Sequence, residues 1–594
     1  MKLSIYDYLV IGLYFAFIMA AGVLFRRLSK NTSDYFRAGG SMPWWITGAA
    51  LFMGFSAWTF TAAAGQAYHD GTFVLVLYLA NVVGYVTVFF LGARRLRRLR
   101  VITWMEAVYE RYGRPTQQFY TWVKLPLLIL LAGVGLNAVA VFMSAVFGVG
   151  IVLTLIVCGG VITLVSFAGG AWAVAANDFI QMFLIAAITA VAAVLALRQP
   201  AVGGISGFIH KVPSYYFDWT AKTPAVMLFG WMAAMLLLNM LVYNSIEMSP
   251  KYLMVRSDRE ARRMVLIPII GLLLAPVLWL LPAMTAIITH PNLHAEFPKL
   301  QHPSEAAYVA VCLDTMPRGL IGLLVSGIFA ATITSMDAVL NQGVGVLVRN
   351  FYLPIMNPQC GERRLLVVSK VLTLVFGALI TAVGLVLSTM HLTGLFDLTN
   401  QLAASLTLPL TLPLVYGLFY LRTPGWAAWS TALVSLAAAL ALKIESGPLL
   451  RLLFPLLARQ HNANAQADGL FILTTVGVIL IGTAWFFLTG LFYRDSSPEH
   501  QARIEKLRAN LRTPVDPHVE CISDHRPHLY LILGRLSTAY GVAVMLFAFI
   551  PNPISGRVSF IFCGGVLLVV GLLLLKSRRR LRRTIRAVET PEAS

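Results

Sequence analysis

The chain has 594 residues, of which 58% are apolar and only 12% are charged. A water-soluble domain carries about 25% charged residues, so an ordinary cytosolic enzyme and a disordered chain are both excluded. Lysine and arginine outnumber the acids 46 to 26, a net charge of +20. Arginine blocks beside apolar runs mark the cytoplasmic flanks of membrane spans more often than nucleic-acid contacts. The composition is that of an all-α polytopic membrane protein. The five cysteines are scattered without metal-ligand spacing, so neither a disulfide framework nor a metal cluster is expected.

A helix needs about 20 mainly apolar residues to cross the bilayer, and about fifteen stretches qualify. In chain order they are 7–25, 44–68, 73–92, 120–147, 149–168, 172–197, 225–243, 264–287, 319–347, 365–389, 395–419, 425–443, 470–492, 529–549 and 558–575. The first lacks a small-residue cleavage site and reads as a retained helix rather than a signal peptide. With the N-terminus outside and the C-terminus cytoplasmic, 33 of the 46 basic residues fall on the inner side and nine in outer segments. Arg94, Arg95, Arg97, Arg98 and Arg100, and the tail from Lys576 to Arg586, then read as topology determinants in contact with membrane lipids. Nucleic acid is not an expected partner, and no obligate protein partner is evident. The longest non-membrane stretch, 493–528, is too short for an appended soluble module, and no GxxxxGK[ST] motif supplies direct ATP drive.

Polar side chains inside spans are costly and therefore informative. In the second span, Gly54-Phe55-Ser56-Ala57-Trp58-Thr59 is small and polar at mid-membrane. A helix interrupted there frees carbonyls to hold a cation; close packing through small residues is the other reading. The sixth span carries Asn177, Asp178 and Gln181, and the seventh with its extension carries Asn239, Tyr243, Asn244 and Glu247. In the ninth, Ala331, Thr334, Ser335, Ala338 and Asn341 recur at helical spacing, with Asp337 bordering the stripe. The eleventh opens with Asp397, Asn400 and Gln401. Hydroxyls and carbonyls suit a hard monovalent cation, and no converging His/Cys set suggests a transition metal.

At these residues the chain resembles the sodium:solute symporter family, over about residues 5–440. The resemblance is carried by Asp34-Tyr35-Phe36-Arg37-Ala38-Gly39-Gly40 with Pro43-Trp44-Trp45, by Phe55-Ser56-Ala57-Trp58 with Gly65-Gln66-Ala67-Tyr68, and by Glu110-Arg111-Tyr112-Gly113. Gly169-Gly170 with Asp178-Phe179-Ile180-Gln181 and the run from Ala330 to Asn341 complete it. It implies two inverted repeats of five helices. An extra helix and loop (1–43) would precede the first repeat (44–197); the second repeat (225–419) would be followed by four C-terminal helices (420–594).

The resemblance further implies a main sodium site from backbone oxygens of Phe52, Phe55 and Ala331 and side-chain oxygens of Thr334 and Ser335. A second sodium ion would lie between Thr334, Asp337 and Asp178. Those two carboxylates either hold a cation between them or share a proton; Asp337 is otherwise a surface carboxylate paired with a basic neighbour. For the solute, Trp58 and Thr59 replace the acid–amide pair of the family's sugar carriers, which favours a carboxylate or amino acid over a sugar. Tyr78, Asn81, Asn137 and Gln401 are further candidate contacts. Glu247 is either a contact or the i+4 partner of Lys251. The expected activity is sodium-coupled symport of a small organic solute across the plasma (inner) membrane by alternating access. The rivals are a proton-coupled carrier using Asp178 and Asp337, a channel, and a solute sensor. No nucleophile–base set points to an enzyme.

Overall fold

The computed structural model describes residues 3–26, 38–166, 171–221, 224–390, 394–445, 463–520 and 526–589. The motif pieces Asp34-Tyr35-Phe36-Arg37 and Gly169-Gly170 lie outside the described residues. Among the described residues the chain is helical, and its one extended pairing is an isolated bridge between Met42 and Val255. This is what a lipid solvent demands, because a spanning backbone must satisfy its own polar groups.

The main helices are α1 (Ile5–Arg26), α2 (Trp44–Phe52), α3 (Ala62–Asp70), α4 (Leu75–Thr87), α5 (Arg114–Phe147) and α6 (Ile151–Ser166). They continue with α7 (Ala171–Leu197), α8 (Ala225–Tyr243), α9 (Leu266–Thr289), α10 (Leu320–Leu347), α11 (Glu362–Thr389) and α12 (Leu395–Leu402). The last six are α13 (Leu408–Phe419), α14 (Ala427–Ile444), α15 (Ala463–Thr489), α16 (Pro498–Arg512), α17 (Arg526–Leu546) and α18 (Ile554–Glu589). Among the described residues, twelve helical segments are long and apolar enough to cross a membrane, and Ile5–Ala20 and Ile151–Ser166 are shorter apolar helices. The stretch at 44–68 is not one continuous helix: it breaks after Phe52, and its second half runs on toward α4.

Each long helix separates a lipid stripe from a packed one. On α9, Ile270, Leu274 and Val277 are exposed at helical spacing, while Trp279, Leu280 and Ala283 are buried. α10 is the exception, buried nearly all round, as expected of a helix at the bundle centre. It packs against α1, α5, α6 and α7. Its first turn is capped by Asp7 of α1, whose Oδ1 accepts from the Gly319 and Gly322 amides at 2.9 and 3.0 Å. A carboxylate there is favoured by unpaired amides and by the helix dipole. Gly322 is required because a Cβ would collide with the Asp7 backbone.

One end of the bundle carries the arginine run, and there protein groups occupy four of its guanidinium groups, Arg95 donating to the Leu418 carbonyl at 3.0 Å. Arg97 is buried and donates to the Val255 carbonyl at 2.7 Å. Arg98 pairs with Asp258 at 2.6 Å. Arg100 pairs with Glu520 at 2.8 Å and donates to the carbonyl of Asn510 in the last turn of α16 and to those of Thr513 and Pro514 just beyond it. The run therefore clamps α16 and the segment after it to the basic end of the bundle.

Candidate cation site and solute pocket

The break after α2 is local chemistry made visible. Ser56 is extended (φ −136°, ψ −170°) and caps a short 3-10 turn, Ala57–Phe60, through its side chain to the Trp58 amide. The Ser56 amide can no longer serve Phe52 as the helical i+4 donor, and the Thr59 amide bonds Ser56 instead of Phe55. The carbonyls of Phe52 and Phe55 thus leave the helical ladder. The turn meets α10 directly, because the Ala57 amide donates to Thr332 Oγ1 at 3.0 Å. One residue before Thr332 is Ala331, whose carbonyl accepts from Ser335 Oγ at 2.9 Å. Thr334 Oγ1 donates to Gln181 Oε1 of α7 at 3.1 Å, and Gln181 Nε2 donates to the buried Tyr14 hydroxyl at 2.9 Å. The five residues of the expected main site therefore sit on two elements in contact, with α7 and α1 bracing the α10 side.

Asp178 of α7 is wholly buried, and among the described residues neither carboxylate oxygen has a hydrogen-bond partner beyond the adjacent Thr334 hydroxyl. Thr334 lies beside it, and Lys251 Nζ is 3.8 Å away. Asp337 is buried too, accepts from Asn341 Nδ2 at 3.0 Å, and has Asp178 and Lys251 as charged neighbours. It is not a surface carboxylate, although a basic neighbour does lie near it.

The candidate solute residues do not share one cavity. Trp58 Nε1 donates to Thr399 Oγ1 at 3.0 Å, and its ring stacks on Phe396 at 5.7 Å, tying the broken stretch to α12. Thr59 is buried beside Tyr78. Gln401 is half-buried on α12, two residues beyond Thr399. Asn81 accepts from the Tyr243 hydroxyl at 2.7 Å and donates to the Leu77 carbonyl. Asn137 lines a cavity of about 50 Å³ with Glu305 and Leu395. Glu247 lines a different cavity of about 250 Å³ at the basic end, and its partner there is Lys124 at 2.5 Å, not Lys251.

Three features lay outside the sequence reading. Trp279 of α9 is buried at the break, 5.7 Å from the Phe52 ring, 4.3 Å from Phe55 and 6.2 Å from Tyr78. Its indole N–H has no hydrogen-bond partner among the described residues; an aromatic in an apolar span carried no signal of this. Lys124 was visible as a lysine near the start of the fourth stretch. Glu305, in the connection before α10, is buried and accepts from the first amide of α12, Leu395, at 2.8 Å. Burial pushes its carboxyl up to about 7, against the lowering pull of that amide.

With this geometry in place, similarity to known proteins is decisive. The sequence signature of the sodium:solute symporter family matches residues 35–434. The chain belongs to the sodium:solute symporter family. The sodium/sialic acid symporter SiaT of Proteus mirabilis (strain HI4320) is 23% identical over 459 residues, covering 74% of this chain and 90% of SiaT. The sodium/glucose cotransporter 2 of Rattus norvegicus is 24% identical over 467 residues, 70% of this chain and 68% of that protein. A solved structure of a Na+-coupled sialic acid symporter, substrate-bound and outward-open, matches with a TM-score of 0.63 at 19% identity, over 81% of this chain and 98% of that one. The fold is therefore shared. This symporter-family chain is an integral multi-pass membrane protein, its relatives are transporters, and sodium is the coupling ion that the family name carries.

Proposed function

We propose that this protein couples the entry of sodium to the uptake of a small organic solute across the plasma membrane, by alternating access between two inverted five-helix repeats. Fifteen crossings, with the N-terminus outside and the basic end cytoplasmic, agree with the basic-residue asymmetry. The observation that carries the reading is the broken second stretch. Its Ala57 amide bonds Thr332 of α10 beside the Ala331 carbonyl and the Ser335 hydroxyl. Oxygens from Phe52, Phe55, Ala331, Thr334 and Ser335 would bridge two elements through one ion. Binding then favours the arrangement in which they touch and loses that advantage when the ion leaves, which is the differential affinity that coupling requires. About 2.3 kcal/mol per charge per 100 mV of membrane potential is available from each sodium ion that enters.

The solute would bind beside the break, against Trp58, Thr59, Tyr78 and Gln401. Trp279 joins them, because its N–H is a buried donor with no partner among the described residues. An aromatic and hydroxyl surface in place of an acid–amide pair supports a carboxylate or amino acid over a neutral sugar. Uptake into proteoliposomes under an imposed sodium gradient, with pH clamped on both faces, tests the proposal across sugars, amino acids and carboxylates. Accumulation indifferent to sodium refutes it and favours the second reading, a proton-coupled carrier, for which the adjacent buried carboxylates Asp178 and Asp337 speak.

A further inference from the structure

Two carboxylates and one ammonium meet where a second sodium ion is expected. Asp178 is wholly buried and, among the described residues, its oxygens have no hydrogen-bond partner beyond the adjacent Thr334 hydroxyl, a costly state for an anion unless a cation answers it. The nearest cation is Lys251 Nζ at 3.8 Å. Lys251 is also a charged neighbour of Asp337 on α10. It is free for this role because Glu247, its helical i+4 candidate, is held at 2.5 Å by Lys124. The lysine side chain is a quarter exposed, along the 250 Å³ cavity at the basic end that Ala338 and Asn341 also line. Its flexible stem therefore runs from a wet cavity to a dry carboxylate, a geometry suited to long cationic side chains.

The charge balance gives this contact a consequence. With both carboxylates ionised, the form that a bound cation favours, Asp178, Asp337 and Lys251 together leave one net negative charge beside Thr334. A single sodium ion on the oxygens of Ala331, Thr334 and Ser335 brings the cluster to neutrality. A second sodium ion would leave an uncompensated positive charge in the interior, which low-dielectric surroundings oppose. We propose that the Lys251 ammonium is a tethered cation that takes the place of the second sodium ion between Asp178 and Asp337, so that the protein binds one sodium ion per chain. The inference rests on the sodium-coupled reading above.

Equilibrium binding of sodium-22 to the purified full-length chain in nanodiscs, without solute, tests it independently of transport. The wild type is expected to bind one ion per chain, Lys251→Arg one, and Lys251→Gln two, a doubling that reports the vacated position. Two ions bound by the wild type would overturn the proposal without any need for a variant. It is equally overturned if Lys251→Gln remains monodisperse, binds sodium saturably and still takes one ion. No saturable binding by the wild type sinks the sodium-coupled reading itself, an outcome distinct from the other two.

Discussion

Glu305 offers a test in which structure dictates both sign and size. Its carboxyl is buried, accepts from the Leu395 amide at 2.8 Å, and is pushed up to about 7 from an ordinary value near 4.5. In the unfolded chain it ionises near pH 4.5, whereas in the folded protein it keeps its proton until pH 7. The folded state therefore binds more protons across that window, and stability falls as pH rises through it. Ionising the buried carboxyl costs the folded state about 3 kcal/mol, stability that is fully present below pH 4.5 and lost above pH 7. Glu305→Gln keeps an acceptor for Leu395 and removes the ionisation. In nanodiscs, its thermal-unfolding midpoint relative to wild type is expected to rise steadily between pH 5 and pH 8. Glu305→Ala also removes the ionisation but orphans a buried amide at the start of α12, placing it about 1–3 kcal/mol below Glu305→Gln at every pH. Parallel midpoint curves for wild type and Glu305→Gln would refute the reasoning, because no buried ionisation would then be at stake.

Three further outcomes follow from named contacts. Thr334→Ala and Ser335→Ala each remove one oxygen from the proposed sodium site and are expected to raise the half-saturating sodium concentration about tenfold, roughly 1.4 kcal/mol; unchanged sodium dependence of uptake in both removes the assignment. Lys124→Met strands the Glu247 carboxylate and is expected to cost about 3–5 kcal/mol, while Lys124→Met with Glu247→Leu recovers most of it; a double-mutant cycle in thermal unfolding reads the coupling. Asp7→Ala uncaps α10 and is expected to destabilise by about 1.5–3 kcal/mol, with Asp7→Asn milder because one acceptor remains; equal midpoints for wild type and Asp7→Ala would show the cap to be idle.

Much of the architecture was legible because hydropathy in a membrane protein reports solvent directly. Runs of apolar residues become helices since lipid offers the backbone no other partner. The same logic exposed the second stretch: Gly54 to Thr59 is too small and polar to be lipid-facing, and the chain does break at Phe52. It also exposed the hydroxyl stripe of α10, because helical spacing alone puts Ala331 next to Ser335. The number of crossings was harder to read: of the described segments twelve meet the length and hydropathy needed, while Ile5–Ala20 and Ile151–Ser166 are shorter and the second stretch is broken.

Residue types and their periodicity by themselves determined that the chain lives in a membrane and that one late crossing carries a stripe of oxygens; they left an early crossing either interrupted or closely packed through small residues, and the structure shows the interruption. Only the tertiary structure decided which charges meet. Glu247 chose Lys124, far back in the chain, over Lys251 four residues ahead, and that choice left Lys251 to Asp178. Asp7 found the start of α10, and Arg100 found the segment beyond α16. The physical reason is that periodicity is a local property of one helix, whereas the pairing of buried charges depends on which helices pack together and how deep each side chain lies. Both are settled by the whole bundle, with desolvation making every unmatched choice expensive.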